Sequence, residues 1–269
     1  MTSPQNAGFT SALKSWRHIR KLSQLELALQ ADVSQRHLSW LETGKSKPSR
    51  NMIIRLADSL DIPNRDRNRL LNMAGFAPIY SESALGEPAR HMVEDVLIKM
   101  LENHNPYPAI VVDRLWNLKM KNSAADQLFA LLGNPNELLE RIGGDGQFNI
   151  ARLTLHPLGL RQFITNWTDI VTPFYTRLKR EALTQHDPAA NELIDSMAEF
   201  VESDLDEQAY DAPLTPILPL NYNFNGVELS LVSVISTFGS AQDVTANELR
   251  IESFYPADER TNRYLHRNH

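Results

Sequence analysis

Gln35, Arg36, His37 and Trp40 stand within six residues of one another, and side chains of these types read the edges of base pairs. A carboxamide makes two hydrogen bonds to adenine, and a guanidinium makes two to guanine or holds a phosphate. This assigns those roles to Gln35 and Arg36, with His37 beside them. Trp40 has two readings: its ring presses on a thymine methyl or a sugar edge, or it packs half-exposed on a neighbouring helix. Gln24, Lys45, Lys47 and Arg50 suit phosphates, which position a protein on a duplex without reading its sequence. Taken singly, each Lys or Arg is equally a solvated surface charge.

The elements that must present these residues are legible around them. Ser23 followed three residues later by Glu26 is a capping box, in which hydroxyl and carboxylate each satisfy a backbone N–H at a helix start. Ala31-Asp32-Val33-Ser34 breaks that helix and opens a second, because Ser34 is a good N-cap and Val33 packs inward with Leu27 and Ala28. The second helix begins at Gln35. Its Leu38 and Leu41 share one face, which leaves Gln35, Arg36, His37 and Trp40 for other surfaces. Gly44 takes the left-handed conformation that closes many helices. Two short helices on a tight turn, the second with long polar side chains at its start, suit insertion into a major groove.

Leu22-Ser23-Gln24, Glu26-Leu27-Ala28, Val33-Ser34, Leu38 and Leu41-Glu42-Thr43-Gly44-Lys45-Ser46-Lys47-Pro48-Ser49 together resemble the helix-turn-helix of the phage repressor and Cro, or xenobiotic-response-element, family. One position departs: that family has Gly in the turn where this chain has Asp32, a residue that tolerates a left-handed backbone better than most. The resemblance implies that Arg17, in the preceding helix, pairs with Glu42 at the end of the recognition helix. A pair of this kind fixes an interhelical angle more than it adds net stability.

A chain of 269 residues, 42% of them hydrophobic, is long enough for two domains with cores of their own. It contains no run of about 18 apolar residues and no charged-then-apolar leader, so neither a membrane span nor a signal peptide is expected. The absence of cysteine excludes disulfides, thiolate metal sites and a thiolate nucleophile. A cytoplasmic protein is the expectation. The net charge of -6 is unevenly spread. Residues 1–77 hold 12 Lys+Arg against 6 Asp+Glu, net +6, and the remainder holds 15 against 27, net -12. A basic head on an acidic body is the pattern of a DNA-binding module joined to a domain that does not bind DNA.

In chain order, a first helix is expected over Phe9–Lys21, with Leu13 and Trp16 along one side. After the motif, Ser49 caps a helix whose Ile53, Leu56, Ala57 and Leu60 form a core stripe. Pro63-Asn64 opens a fifth helix to about Met73, closed by Ala74-Gly75. Residues 78–88, small, polar and proline-bearing, read as a linker. A helix over Ala89–Asn103 follows, with Val93, Val96, Leu97, Met100 and Leu101 on one side. It either docks on the body or pairs with its copy in a dimer.

The body, residues 89–258, opens with strands. Ala109–Asp113 is a short apolar run, and Trp116, Leu118 and Met120 alternate with polar residues, as in a strand buried on one face. Ser123–Leu132 returns to helix. Leu218, Leu220, Tyr222 and Phe224 alternate before Asn225-Gly226, and Val227, Leu229 and Leu231 alternate after it, a strong hairpin signal. Leu249–Phe254 makes a fifth strand. Between them, Leu160, Phe163, Ile164, Trp167, Ile170, Val171 and Phe174 form a broad apolar stripe that Pro173 kinks or ends. Asp187-Pro188 opens a further helix. Residues 259–269 read as a solvated tail. The whole is a multi-domain chain: an all-α, five-helix, repressor-like head and an α+β, PAS-like body with an antiparallel sheet of about five strands.

Val111-Val112-Asp113-Arg114-Leu115-Trp116 with Asn122, Thr237-Phe238-Gly239-Ser240-Ala241 with Asp243-Val244-Thr245, and Glu248-Leu249-Arg250-Ile251-Glu252 resemble the ligand-binding domain of the MmyB-like transcription regulators. That resemblance implies a pocket for a small, largely apolar molecule, with fatty-acid-like effectors the leading class; no cofactor is expected. Trp116, Leu118, Met120, Phe163, Trp167 and Phe174 are the candidates to line it. The same residues also make an ordinary core.

Other motifs fail. Gly143-Gly144-Asp145-Gly146 lacks the strand that precedes a phosphate cradle. His91 with Glu94 or Asp95 lacks further metal ligands. G-x-S-x-G, H-E-x-x-H and P-loop patterns do not occur. The expectation is a one-component regulator, not an enzyme, that binds a palindromic operator as a homodimer and answers to a small effector. The alternatives are a protein-interaction adaptor whose helix-turn-helix does not bind DNA, and an enzyme acting on the bound molecule.

Overall fold

The computed structural model describes residues 4–80, 87–143, 146–185, 188–206, 217–239 and 243–267. The N-cap expected at Asp187, residues 81–86 of the expected linker, Gly144 and Asp145 of the glycine cluster, and Ser240 and Ala241 of the family motif lie outside them. The chain divides into two compact units, Met1–Gly86 with Ser240–Asn247, and Glu87–Gly239 with Glu248–His269.

The head is five helices: α1 (Pro4–Ile19), α2 (Gln24–Gln30), α3 (Gln35–Glu42), α4 (Arg50–Ser59) and α5 (Asn64–Met73). Phe9, Leu13 and Trp16 of α1 meet Leu27 and Ala28 of α2, Leu38 and Leu41 of α3, Ile53 and Leu56 of α4, and Leu70 and Leu71 of α5 in one core. Each Leu or Ile so buried stabilises the fold by about 1.5–3 kcal/mol relative to exposure. Arg20 fastens α1 to the end of α4, its Nε donating to Leu60 O at 2.7 Å. The head runs past the expected boundary at 77. Buried Asn68 accepts from the Ile79 and Tyr80 N–H groups at 3.1 Å each and donates to Tyr80 O at 2.7 Å, which straps the start of the expected linker onto α5.

The body begins with α6 (Glu87–His104), then β1 (Ala109–Val112), β2 (Leu118–Lys121), α7 (Ser123–Ala130), α8 (Pro135–Ile142) and α9 (Ile150–Leu155). A 3₁₀ turn at Leu160–Phe163 precedes α10 (Trp167–Gln185) and α11 (Pro188–Ala198). After these come β3 (Leu220–Phe224), β4 (Val227–Thr237), α12 (Val244–Glu248), all but the last residue of which is grouped with the first unit, β5 (Arg250–Pro256) and α13 (Glu259–Arg267). The five strands form one antiparallel sheet in the order β2-β1-β5-β4-β3. The β3–β4 hairpin turns at Asn225 and Gly226, both at positive φ as a two-residue turn of this twist requires.

Buried Asn122 ties the first body elements together. Its Oδ1 accepts from the Ala109 and Ala125 N–H groups, and its Nδ2 donates to the Leu101 and Tyr107 carbonyls.

Several expectations are corrected. Trp116 does not begin a strand: it closes a turn with φ +66° and its N–H bonded to Asp113 O at 3.0 Å. A bulge then sets Val111 opposite Met120 but Val112 opposite Leu118, skipping Lys119. Leu118 therefore packs on the helix-bearing core with Val112, and Met120 on the opposite face with Val111. On α6, Val93, Leu97 and Leu101 turn inward, while Val96 and Met100 are exposed.

The stripe from Leu160 to Phe174 is not one helix. Ile164 breaks it by bridging to Tyr222, and α10 runs on through Pro173 to Gln185. The tail expected over 259–269 is helical up to Arg267. Thr261 and Leu265 are buried, and Thr261 Oγ1 accepts from Ser230 N–H of β4 at 2.8 Å.

Candidate DNA-recognition face and ligand cavity

Local chemistry sets the α2–α3 pair. Ser23 and Glu26 form both bonds of the capping box, and Ser34 Oγ accepts from His37 N–H at 3.2 Å to start α3. Asp32 carries the turn at φ +50°, where the resembled family has Gly, and Gly44 ends α3 at φ +71°.

A buried ion pair fixes how α3 lies on α1. Arg17 donates to both Glu42 oxygens, from Nε at 2.6 Å and from NH2 at 2.9 Å, and NH1 donates to Leu22 O at 2.8 Å. Gln24 Nε2 adds a bond to Glu42 Oε2 at 2.8 Å. Burial pushes the Glu42 carboxyl up, but the bonds from Arg17 and Gln24 more than reverse it and hold the carboxyl below its ordinary value. One amide hydrogen of Gln24, expected at a phosphate, is thus engaged inside the head.

The other expected residues fall on or next to the outward side of α3. Gln35 and Arg36 are exposed on its first turn, with His37 half-buried beside them. Trp40, one turn on, is exposed, and the Arg36 guanidinium lies 4.8 Å from its ring centre. Of the two readings of Trp40, this contact adds a third role: it steadies the cation next to it. Lys45 and Lys47 are exposed in the loop after α3, and exposed Arg50 begins α4.

In the body, the space between sheet and helices contains a cavity of about 50 Å³. Trp116 and Phe174 line it, their rings edge to face at 6.2 Å, as do Phe129, Leu160, Tyr222 and Glu252. The other four candidates are elsewhere. Leu118 and Met120 were separated by the bulge. Phe163 packs on Phe224 at 5.0 Å. Trp167 donates from Nε1 to Asp204 at 2.7 Å under Arg161. Phe163 and Trp167 miss the cavity because the helical period assumed across Ile164 does not hold.

Sequence reasoning missed the charges around this cavity. Glu252, on β5, is fully buried, and burial raises its carboxyl above the ordinary range against the opposing pull of Arg177 and a hydrogen bond from Ser233. Arg177 lies over both Trp116 and Phe174, 5.0 and 5.1 Å from the ring centres. Its Nε is 3.7 Å from Glu181, yet Nε and NH2 are buried with no hydrogen-bond acceptor among the described residues. Glu181 accepts from Trp116 Nε1 at 3.3 Å and from Arg250. Arg177 and Glu181 are four apart on α10, a spacing that puts two charges on one face, but nothing local said that this face was inward. Among the described residues no group of three or more His, Asp or Glu side chains is arranged to hold a metal ion, and no helix is long and apolar enough to cross a membrane.

A family model of a helix-turn-helix domain matches residues 9–70. A second, described as the MmyB-like transcription regulator ligand binding domain, matches residues 93–267. That match takes in α13 as well as the sheet, in keeping with the buried Leu265. No curated protein is similar enough to the chain to match it. With a helix-turn-helix head whose recognition helix is locked by a buried ion pair, and with more than half of its length matching that ligand-binding domain, the chain belongs to the MmyB-like family of DNA-binding transcription regulators.

Proposed function

We propose that the protein is a one-component cytoplasmic regulator that binds a palindromic operator as a homodimer and changes its DNA affinity when a fatty-acid-like effector enters the body. The observation that carries this reading is one short recognition helix and one cavity-bearing core in a single chain. Helix α3 has eight residues, about 12 Å at 1.5 Å per residue. It reaches only a few base pairs, so a specific site calls for two heads about 34 Å apart. Gln35 and Arg36 read bases, while Lys45, Lys47, Arg50 and the remaining amide hydrogen of Gln24 hold phosphates.

The cavity of about 50 Å³ is smaller than the roughly 300 Å³ of an ordinary ligand site. An acyl chain must therefore push side chains such as Phe129 and Phe174 aside, and this supplies the difference between states that an effector needs in order to act. Arg177 receives the carboxylate, since two of its buried nitrogens lack acceptors beside the lining rings.

The test has two parts. An operator is selected from random duplexes and titrated by fluorescence anisotropy, and the purified protein is weighed by native mass spectrometry before and after denaturation. Gln35→Ala with Arg36→Ala is expected to abolish specific binding with the fold intact; unchanged operator affinity ends the DNA reading. A co-purifying acyl mass that is lost in Arg177→Gln supports the effector reading. Bare protein whose DNA affinity ignores added fatty acids refutes it.

A further inference from the structure

The outward flank of α6 is apolar where solvent would favour polar side chains. Val93, Leu97 and Leu101 face the sheet and pack with Ala109, Val111 and Ile251. Met92, Val96 and Met100, four residues apart and so on one flank, are 66%, 40% and 40% exposed. The sheet beside them is incompletely covered. Val234 lies opposite Ser253, on the face that carries Ile251, and is 47% exposed. Tyr255, on that face too, lies edge-on to His104 at the end of α6, with ring centres 4.9 Å apart, and is 43% exposed. Apolar side chains scattered singly need no account, but a set gathered on one helix flank and the adjoining sheet marks an interaction surface.

The charges beside this stripe say what covers it. Asp95 and Lys99 are both exposed, opposite in sign and four residues apart along its outer border. A second α6 laid antiparallel about a two-fold axis near Val96 sets Met92 against Met100 of the copy. The same axis sets Asp95 of each copy against Lys99 of the other. One sequence thus makes two equivalent ion pairs, the signature of an isologous contact and not of a foreign helix. We propose that a second copy of this chain docks here, with α6 packed antiparallel on α6 and the open sheet face at its margin. This rests on the dimeric reading given above and names the surface that makes the dimer.

The experiment uses the full chain in sedimentation velocity, with native mass spectrometry for mixtures and circular dichroism to confirm folding. The parent is expected to be a dimer. Val96→Glu, which places two carboxylates at the axis, weakens association by about 100-fold or more; Met92→Lys at the more exposed end serves if that variant fails to fold. Asp95→Lys and Lys99→Asp each weaken the dimer by setting like charges together. Mixed in equal amounts they recover it as a heterodimer, because each contact then joins a lysine to an aspartate. A parent dimer that Val96→Glu and Met92→Lys leave unchanged overturns this surface while the dimeric reading stands. A mixture no better than its components overturns the antiparallel pairing. A parent that is monomeric both free and on a palindromic operator overturns both readings.

Discussion

Glu42→Ala removes the acceptor of Arg17 Nε and NH2, bonded at 2.6 and 2.9 Å, and of Gln24 at 2.8 Å. Arg17 retains its bond to Leu22 O, but its side chain is 8% exposed and water does not replace the lost carboxylate. A buried cation stranded in this way costs about 3–5 kcal/mol. A head of about 80 residues holds roughly 4–12 kcal/mol in all, at 0.05–0.15 kcal/mol per residue, so the substitution removes about a quarter of its stability or more. The pair as a unit is worth far less, because burying both charges offsets most of their attraction. Arg17→Met with Glu42→Leu returns to within about 1 kcal/mol of the parent, or exceeds it.

The assay is urea unfolding of the full chain read by hydrogen exchange at α1 and α3 amides, which reports on the head by itself. Acid gives an independent check. The Glu42 carboxyl is depressed in the fold, so its contribution is complete above the unfolded value of about 4.5 and is lost as pH falls through the folded one. The parent loses head stability in that acid range, and the double variant loses less. A cost below about 1 kcal/mol for Glu42→Ala, the range of an exposed pair, refutes the reasoning. So does a double variant as unstable as the sum of the single ones.

Lys45→Ala, Lys47→Ala and Arg50→Ala are each expected to lower DNA affinity on all sequences alike and to flatten the slope of log affinity against log salt by about 1, measured by anisotropy across a salt series. Ala125, on α7, also lines the cavity, and Ala125→Val places two methyl groups into it. Filling about 50 Å³ at about 24 cal/mol per Å³ gains roughly 1 kcal/mol, against about 0.6 for a β-branched residue in α7. Thermal unfolding therefore stays close to the parent while any retained ligand disappears from the native mass spectrum; destabilisation by several kcal/mol means the site was already filled. Glu252→Gln tests the raised carboxyl. The folded state holds that proton more tightly than the unfolded chain, so the parent loses stability as pH rises from about 4.5 through the folded value. The variant is expected to show a flatter profile and greater stability at neutral pH in urea titrations.

The sequence by itself determined the head almost whole. The capping box at Ser23, the caps at Ser34 and Ser49, and the left-handed turn at Asp32 are each decided by groups within four residues, and the stripes of α3 and α4 point one way. Asn225-Gly226 did the same for the β3–β4 hairpin. Whatever depends on which face of an element looks inward was decided by tertiary structure. Leu118 and Met120 read as neighbours in sequence, and one bulge set them on opposite faces, since side-chain direction follows register. Trp116 sits at positive φ where a turn closed locally by Asp113 meets a ring held by distant partners, Glu181 and Arg250. The mixed sequence of α13 carries too few apolar residues to announce a buried helix. It folds because β4 and the body core offer Thr261 and Leu265 a place. Arg177 and Glu252 are ordinary charges until the fold removes them from water, and no local pattern states that, because burial is a property of what packs against a residue and not of the residue's own neighbours.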